Sequence, residues 1–331
     1  MSAIMLHVGQ GGNQVGQQLW STALNECAPK GDTLINRETR KARAILIDSE
    51  PKVVRSSSIR RGVENLWNPD NVIFHQNGRG NNWAMGYKDS QSPSGLRSSL
   101  SDTTMEIFRK EVERCDYYTG CIMTHSLAGG TGSGLGSRLV ERLRDEYPAN
   151  YIINASILPA SSGESPLQHY NSCFGLSYLQ EYSDCCILFQ NEGLLRMLGR
   201  QIQLLGGQGV AMLNLNEYIS SCLFPMLQVE RGEKVDFQSF MNLVPMPSYK
   251  FIELQSSPFL YNKAPSFTQA ASWDQIFDNA ILQAQMLEPV SENKALRPIN
   301  CNLATHCLVK GEDAYSHVRK IPSVYQKYRA R

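Results

Sequence analysis

Short apolar runs alternate with amphipathic stretches through the first half of the chain, and this alternation limits the fold more than any other feature. The runs Ile4–Val8, Ala42–Ile47, Gly120–Thr124, Tyr151–Leu158 and Cys185–Phe189 have the length and composition of buried strands. Between them, Asn13–Asn25 carries Val15, Leu19 and Ala23 at helical spacing, and Ser94–Cys115 places Leu100, Ile107 and Phe108 on its apolar side. Leu135, Leu139 and Leu143 mark another helix, and Leu167–Gln180 reads as a further one. Strands separated by helices pair in parallel. The predicted fold class is therefore α/β, a parallel Rossmann-like sheet with helices on both faces. Ligands of such sheets bind beyond the carboxyl ends of the strands. The turns at Gly9, Asp48, Ser126, Pro159 and Gln190 all follow predicted strands and should line one rim.

A long helix is expected over Leu213–Gln228, and beyond it the pattern changes. Pro225, Pro245, Pro247, Pro258 and Pro265 punctuate short strands such as Tyr249–Leu254 and Asn300–Val309. The expected organisation is a first domain over 1–228, ending in the connecting helix 213–228, and a smaller mixed α+β domain over 229–331.

The sharpest motif is Ala128-Gly129-Gly130-Thr131-Gly132-Ser133-Gly134, between a strand and an amphipathic helix. Glycines let the backbone curl and let phosphate oxygens reach its N–H groups. The helix that follows points its free amides and positive dipole end at the same place. Thr131 and Ser133 can add hydroxyl donors. A Walker loop needs Lys-Ser/Thr after its last glycine, whereas Leu135-Gly136 follows Gly134. The N-terminal Gly9-x-Gly11-x-x-Gln14 lacks the third glycine of a dinucleotide fold. One glycine cluster alone is equally well a flexible loop. Two glycine turns on one rim favour an anion site.

Polar residues around the loop have plausible roles. Asp48 and Glu50 end a strand and suit a hydrated Mg²⁺, which takes one or two carboxylates together with phosphate oxygens. A turn or helix cap explains an acid there as well. Asn81 and Asn82, after Gly78 and Gly80, offer amides to a terminal phosphate, and an ordinary Gly/Asn turn also accounts for them. Asn191 and Asn216 could pair with a purine edge, though a helix cap explains Asn191 equally well.

Composition removes several function classes. Lys+Arg number 32 and Asp+Glu 31, so no global field draws this chain to nucleic acid or to an acidic membrane. The basic stretch Arg37–Arg43 and the tail residues Lys320, Lys327, Arg329 and Arg331 read as solvated charge. The nine cysteines are odd in number and form no C-x-x-C pair, which argues against a zinc ribbon and a disulfide framework. Reduced thiols in a cytosolic protein are the simpler reading. No apolar run is long enough for a membrane helix, and Met1–Val8 lacks the features of a signal peptide.

Taken together, five segments resemble the tubulin superfamily. They are Gly9-Gln10-Gly11-Gly12-Asn13-Gln14-Val15-Gly16, Asp48-Ser49-Glu50-Pro51, Gly80-Asn81-Asn82-Trp83-Ala84, Ser126-Leu127-Ala128-Gly129-Gly130-Thr131-Gly132-Ser133-Gly134 and Asn242-Leu243-Val244-Pro245. Their order and spacing hold from Met5 to about Tyr325. Within the superfamily the delta type is most similar. Its marks are Asp48–Val53, Lys110–Asp116, Ala128, and Gly163-Glu164 before Tyr170-Asn171-Ser172.

The resemblance implies a GTPase-type sheet, GTP or GDP with Mg²⁺ as cofactors, and a cytoplasmic, cytoskeletal protein of centrioles or basal bodies. It implies contact with other tubulin subunits or centriolar proteins, head to tail. Gly9, Gln10 and Gly11 would touch phosphates, and Gln14 the sugar or base. Gln10, Asp48 and Glu50 would surround the metal. Asn81 would meet the terminal phosphate, and Ser126 and Ala128 to Gly134 would cradle the inner phosphates. Glu164 would meet the ribose, and Asn191 and Asn216 the guanine edge.

Three departures stand out. Met212 occupies the place of an aromatic ring that stacks on the base, where a thioether packs more weakly. Gln238 stands where a glutamate acts on a neighbouring subunit's nucleotide. It can orient water but takes no proton at neutral pH. The chain stops after Arg331, without the C-terminal helical hairpin and acidic tail of a full tubulin. Weak GTPase activity requiring an adjacent subunit is expected. One alternative is a degenerate tubulin that binds partners without nucleotide. A remote one is an NAD-dependent oxidoreductase.

Overall fold

A computed structural model describes residues 2–26, 34–36, 38–59, 63, 65–89, 99–161, 163, 165–204, 209–227, 248–257 and 275–280, with single positions at 237, 241 and 244. It divides into two compact units, Met1–Glu192 with Ile219–Leu254, and Gly193–Tyr218 with Gln255–Arg331. The predicted strand Asn300–Val309 and the tail cations lie outside the described residues.

The first unit is built on seven parallel strands in the order β3-β2-β1-β4-β5-β6-β7. They are β1 (Ser2–Val8), β2 (Ala44–Asp48), β3 (Val72–Phe74), β4 (Tyr118–Ser126), β5 (Tyr151–Leu158), β6 (Cys185–Gln190) and β7 (Phe251–Glu253). The helices are α1 (Gly9–Glu26), α2 (Pro51–Ile59), α3 (Trp83–Lys88), α4 (Leu100–Glu113), α5 (Gly136–Glu146), α6 (Gln168–Tyr182), α7 (Asn191–Leu204) and α8 (Met212–Leu227). α7 and α8 run across the boundary between the two units.

The inner strands are largely apolar runs because both faces of the sheet are covered there. Alternate residues of β1 show this. Ile4, Leu6 and Val8 join a core with Leu100 and Phe108 of α4 and Leu139, Val140 and Leu143 of α5. His7 instead meets Trp20 of α1. Ile107 packs at the margin of that core. α4 is capped by Ser99, whose hydroxyl accepts from the Asp102 amide at 3.0 Å.

From β1 the chain first builds outward through β2 and β3, then returns to place β4 on the other side of β1. The two halves of the sheet diverge there, leaving a crevice at the carboxyl ends of β1 and β4. The turn after β1 begins at Gly9, and the turn after β4 is the long glycine loop.

The structure corrects two expectations from the sequence. The helix predicted over Asn13–Asn25 starts earlier, so Gly9–Gly12 is the first turn of α1 and not a separate turn; Gly9, with a φ of 71°, makes the bend that lets the helix follow β1 at once. The strand within Tyr249–Leu254, expected in the smaller domain, pairs with β6 in the register Cys186↔Phe251 and Ile187↔Ile252. Its neighbours hold it there. Gln180 donates to the Ser248 carbonyl, and Gln190 to Glu253. The prolines around it signalled a change of domain that the strand does not follow.

Two buried histidines stand beneath the crevice. Trp20 Nε1 donates to His7 Nε2 at 3.1 Å, which leaves the proton on Nδ1 to donate to Thr124 Oγ1 at 2.7 Å. Thr124 then donates to the Gly12 carbonyl at 3.0 Å. His125 Nδ1 is 2.7 Å from the Gly132 carbonyl and so donates, while Nε2 accepts from Ser156 at 2.8 Å. Burial lowers His7 to about 3 and His125 to about 4, so both stay neutral.

In an unfolded chain both would titrate near the ordinary histidine value. Between that value and about pH 4 the unfolded chain takes up protons that the fold refuses, so stability falls as pH falls. Each histidine should cost on the order of 2 kcal/mol by pH 5. Urea midpoints measured at pH 7.5 and pH 5.0 check this; equal midpoints would contradict neutral, buried rings.

Candidate functional site

The turns after β1 and β4 touch through backbone. A methyl group at Gly9 would fall 3.0 Å from the Gly132 nitrogen and 3.5 Å from Thr131 Cβ. One at Gly12 would fall 2.1 Å from the Thr124 carbonyl oxygen, and one at Gly132 would fall 2.3 Å from that of Ser126. A methyl at Gly11 would fall 3.0 Å from Ser126 Cβ. At Gly12 and Gly132 no side chain fits, at Gly9 the φ of 71° disfavours one, and at Gly11 Ser126 would have to yield, so these glycines answer to close approach as well as to curvature.

A third segment closes on the same place. A methyl at Gly130 would lie 2.8 Å from the Asn82 nitrogen, and one at Gly86 would lie 2.1 Å from the Gly130 carbonyl oxygen. Asn81 is exposed, with φ of 50°, and its Oδ1 faces Gly129. Asn82 caps α3, accepting from the Ala84 amide at 2.9 Å. Asn171 of α6 clamps the pair of loops. Its amide nitrogen donates to the Asn81 carbonyl at 2.7 Å and the Ala128 carbonyl at 2.8 Å, and its oxygen accepts from Trp83 N–H at 2.9 Å. Ser172 donates to the Leu127 carbonyl.

Two helix starts therefore converge. α1 opens at Gly9, and Thr131–Leu135 forms one π turn that runs into α5. First-turn amides of a helix lack partners within it and carry its positive dipole end, so this junction suits an anion. The hydroxyls are less available than their sequence suggests. Ser133 is buried and donates to the Gly129 carbonyl, and Thr131 shares a hydrogen bond with Ser49 at 2.6 Å. Ser126 Oγ accepts from the Ala128 amide.

The acids lie at the edge of this junction. Asp48 ends β2 and is buried. Burial raises its carboxyl to about 6, with the neighbouring Glu50 charge adding to the shift and two backbone N–H bonds opposing it. Glu50 is exposed, and its carboxylate leans against Gly78. Among the described residues no group of three or more His, Cys, Asp or Glu converges on one point. Two carboxylates suit a cation that takes its remaining ligands from phosphate and water. Asn13 links the strands behind them, donating to the Gly9 carbonyl at 2.8 Å and the Ile47 carbonyl at 3.0 Å. Its own Oδ1 is buried without a hydrogen-bond partner.

Of the sequence candidates, Gly9, Gln10, Gly11, Asp48, Glu50, Asn81, Ser126, Ala128, Gly129, Gly130, Thr131, Gly132, Ser133 and Gly134 meet in this region. Gln10 is exposed in the first turn of α1, and Gln14 is half-buried one turn further on. Asn191 opens α7 directly after β6, on the same rim. Met212 and Asn216 belong to the second unit, Met212 exposed and Asn216 buried. Glu164 and Gln238 lie outside the described residues. His7, Asn13, His125 and Asn171 were missed as supports. A histidine inside an apolar strand and an asparagine inside a helix were the available signals, since neither favours its position by propensity.

Comparison with known proteins agrees with this geometry. The model of the Tubulin/FtsZ family, GTPase domain, matches residues 2–199. The chain is 28% identical over 365 residues to the tubulin delta chain of Homo sapiens, covering 96% of this chain and 78% of that protein. It is 27% identical to the tubulin delta chain of Mus musculus, covering 90% and 70%. It is likewise 27% identical to the tubulin beta chain of Trichophyton rubrum, covering 98% and 75%. The family match takes in β1 to β6 and every glycine turn at the crevice, and by it the chain belongs to the tubulin/FtsZ family, whose GTPase domain its sheet forms.

Proposed function

We propose that the converged turns bind GTP or GDP with Mg²⁺, and that the chain is a delta-like tubulin working with other tubulin subunits or centriolar proteins at centrioles or basal bodies. The observation that carries this reading is the contact of Gly9 with Gly132, which aims two helix starts at one point. Amides at Gln10 and Gly11 and along Ala128–Gly132 would hold the inner phosphates. Asn81 would reach the third phosphate. Gln10, Asp48 and Glu50 would face the metal, which neutralises phosphate charge when bound. Gln14, Glu164, Asn191, Met212 and Asn216 are proposed for the sugar and base.

Displacement of a fluorescent guanine nucleotide tests the assignment. GTP and GDP should displace it in the presence of Mg²⁺, whereas ATP should not. Gly11→Val crowds Ser126 at the start of α1 and should weaken guanine nucleotide about tenfold or more with the fold retained by circular dichroism. Unchanged affinity would remove the α1 turn from the site. The chain alone should hydrolyse GTP weakly. A Gln238→Glu change without effect on hydrolysis in an assembled sample would remove Gln238 from the subunit contact.

Asp48 provides a second test with a sign opposite to that of the histidines. Its folded value of about 6 exceeds the ordinary carboxylate value, so between roughly pH 4 and 6 the fold keeps a proton that the unfolded chain has lost. Its contribution to stability therefore falls as pH rises through that window. Without nucleotide or metal, Asp48→Asn should raise stability at pH 7.5 by on the order of 2 kcal/mol and change little at pH 4.5. The same change should weaken the Mg²⁺ dependence of GTP binding. A variant destabilised equally at both pH values would show that the charge is already compensated.

A further inference from the structure

The loop that carries Asn81 and Asn82 also carries an ion pair that the nucleotide reading leaves unused. Arg79 Nη2 donates to Asp89 Oδ1 at 2.5 Å, and the two side chains are only 10% and 2% exposed. Asp89 stands just past α3, with φ of 37°. Its other oxygen accepts from the Ser101 amide of α4 at 2.6 Å. Arg79 itself accepts from the Asn82 amide through its carbonyl at 3.0 Å. Its Cβ lies 2.9 Å from the place a methyl at Gly130 would take. One side chain thus ties the turn 78–82 to the end of α3 and the start of α4. Arg79 Nε is buried without a partner, so the guanidinium is held chiefly by the carboxylate.

Removing either partner of a buried pair leaves the other charged and poorly solvated, which frees the segment that the pair held. That segment matters for only one class of ligand. In the proposed site, Gly9–Gly11 and Ala128–Gly132 serve the phosphates common to tri- and diphosphates, and Asn81 serves the third. We propose that Arg79 is a positioning residue which, through Asp89, keeps the turn 78–82 ready for a third phosphate. The pair thereby sets the preference between nucleoside triphosphate and diphosphate. With the pair broken, ordering the turn would be charged to triphosphate binding alone. The inference rests on the guanine nucleotide reading above.

A competing geometry has Arg79 leave Asp89 and touch the third phosphate directly. The two arrangements differ in their response to Asp89. If Arg79 positions the turn, losing Asp89 hurts triphosphate binding; if Arg79 contacts phosphate, losing Asp89 releases it and helps. Asparagine suits the left-handed backbone at residue 89, so Asp89→Asn removes the charge with little strain.

The test uses the full chain with Mg²⁺, a non-hydrolysable GTP analogue and GDP, and the variants Arg79→Ala, Arg79→Lys and Asp89→Asn. Both Arg79→Ala and Asp89→Asn should weaken the triphosphate about tenfold and leave GDP within about twofold, with Arg79→Lys in between. Equal losses for both nucleotides would overturn the proposal, because they report general damage to the fold. Triphosphate binding by Asp89→Asn as tight as the parent's, or tighter, would overturn it in favour of direct contact. A parent chain that binds neither nucleotide would end the nucleotide reading itself. A parent that binds both, with an unchanged ratio in every variant, would end only this inference.

Discussion

Everything at the rim depends on backbone meeting backbone where no side chain fits. Gly9 lies against Gly132, Gly12 against Thr124, Gly132 against Ser126, and Gly130 against Asn82. At Gly12, Gly130 and Gly132 the approach is closer than a Cβ allows, and at Gly9 it is tight with a φ of 71° that disfavours a side chain; apart from the pair Gly132 and Ser126, which closes its own loop, the contacts fix distant segments against one another. The consequence is electrostatic as much as steric. When α1 and the turn leading into α5 start side by side, their unpaired amides and dipole ends point into one space. A chain with nearly balanced charge can in this way hold a highly charged anion without a lysine in the loop.

Such a junction needs supports, and they are polar. The backbone carbonyls of a tight turn must find donors if they are buried. His7 and Thr124 supply one to Gly12, His125 supplies one to Gly132, and Asn171 supplies them to Asn81 and Ala128. In each case the donor comes from the body of the sheet or from α6, beneath or beside the turn. Asp48 is the exception among the buried groups. Its desolvation is not offset by any cation among the described residues, and its carboxyl is raised to about 6.

Much of the sheet was legible because a parallel strand buried on both faces is a simple signal. Tyr151–Leu158 matches the observed strand to the residue, and Ile4–Val8, Gly120–Thr124 and Cys185–Phe189 extend by only one or two residues at an end. β3 was not seen, since Val72–Phe74 is too short to show a period. β7 was seen but assigned to the wrong body. Its three residues pair with β6 from far along the chain, and nothing local announces such a partner. At the site, the glycines were legible because few other reasons call for so many. The donors beneath them were not, since a buried histidine that orients a carbonyl leaves the same trace in a sequence as any other histidine.

The turn 78–82 shows the limit most clearly. The helix after it, α3, has six residues and cannot persist on its own. Its place is set by packing against α6. Trp83 stacks on Tyr87 at 4.7 Å between ring centroids and meets Phe174 and Tyr178 at 5.2 and 5.3 Å. Arg138 of α5 lies over Tyr87, which donates to Glu141. The Asn81 amide is thus aimed by aromatic rings and an asparagine on α6, and by the carboxylate of Asp89 with the Ser101 amide of α4 behind it. A motif such as Gly-Asn-Asn-Trp states only that a turn precedes a helix. Whether that turn faces the rim is decided by residues about ninety positions away, and the placing of Asn81 is therefore a property of tertiary packing.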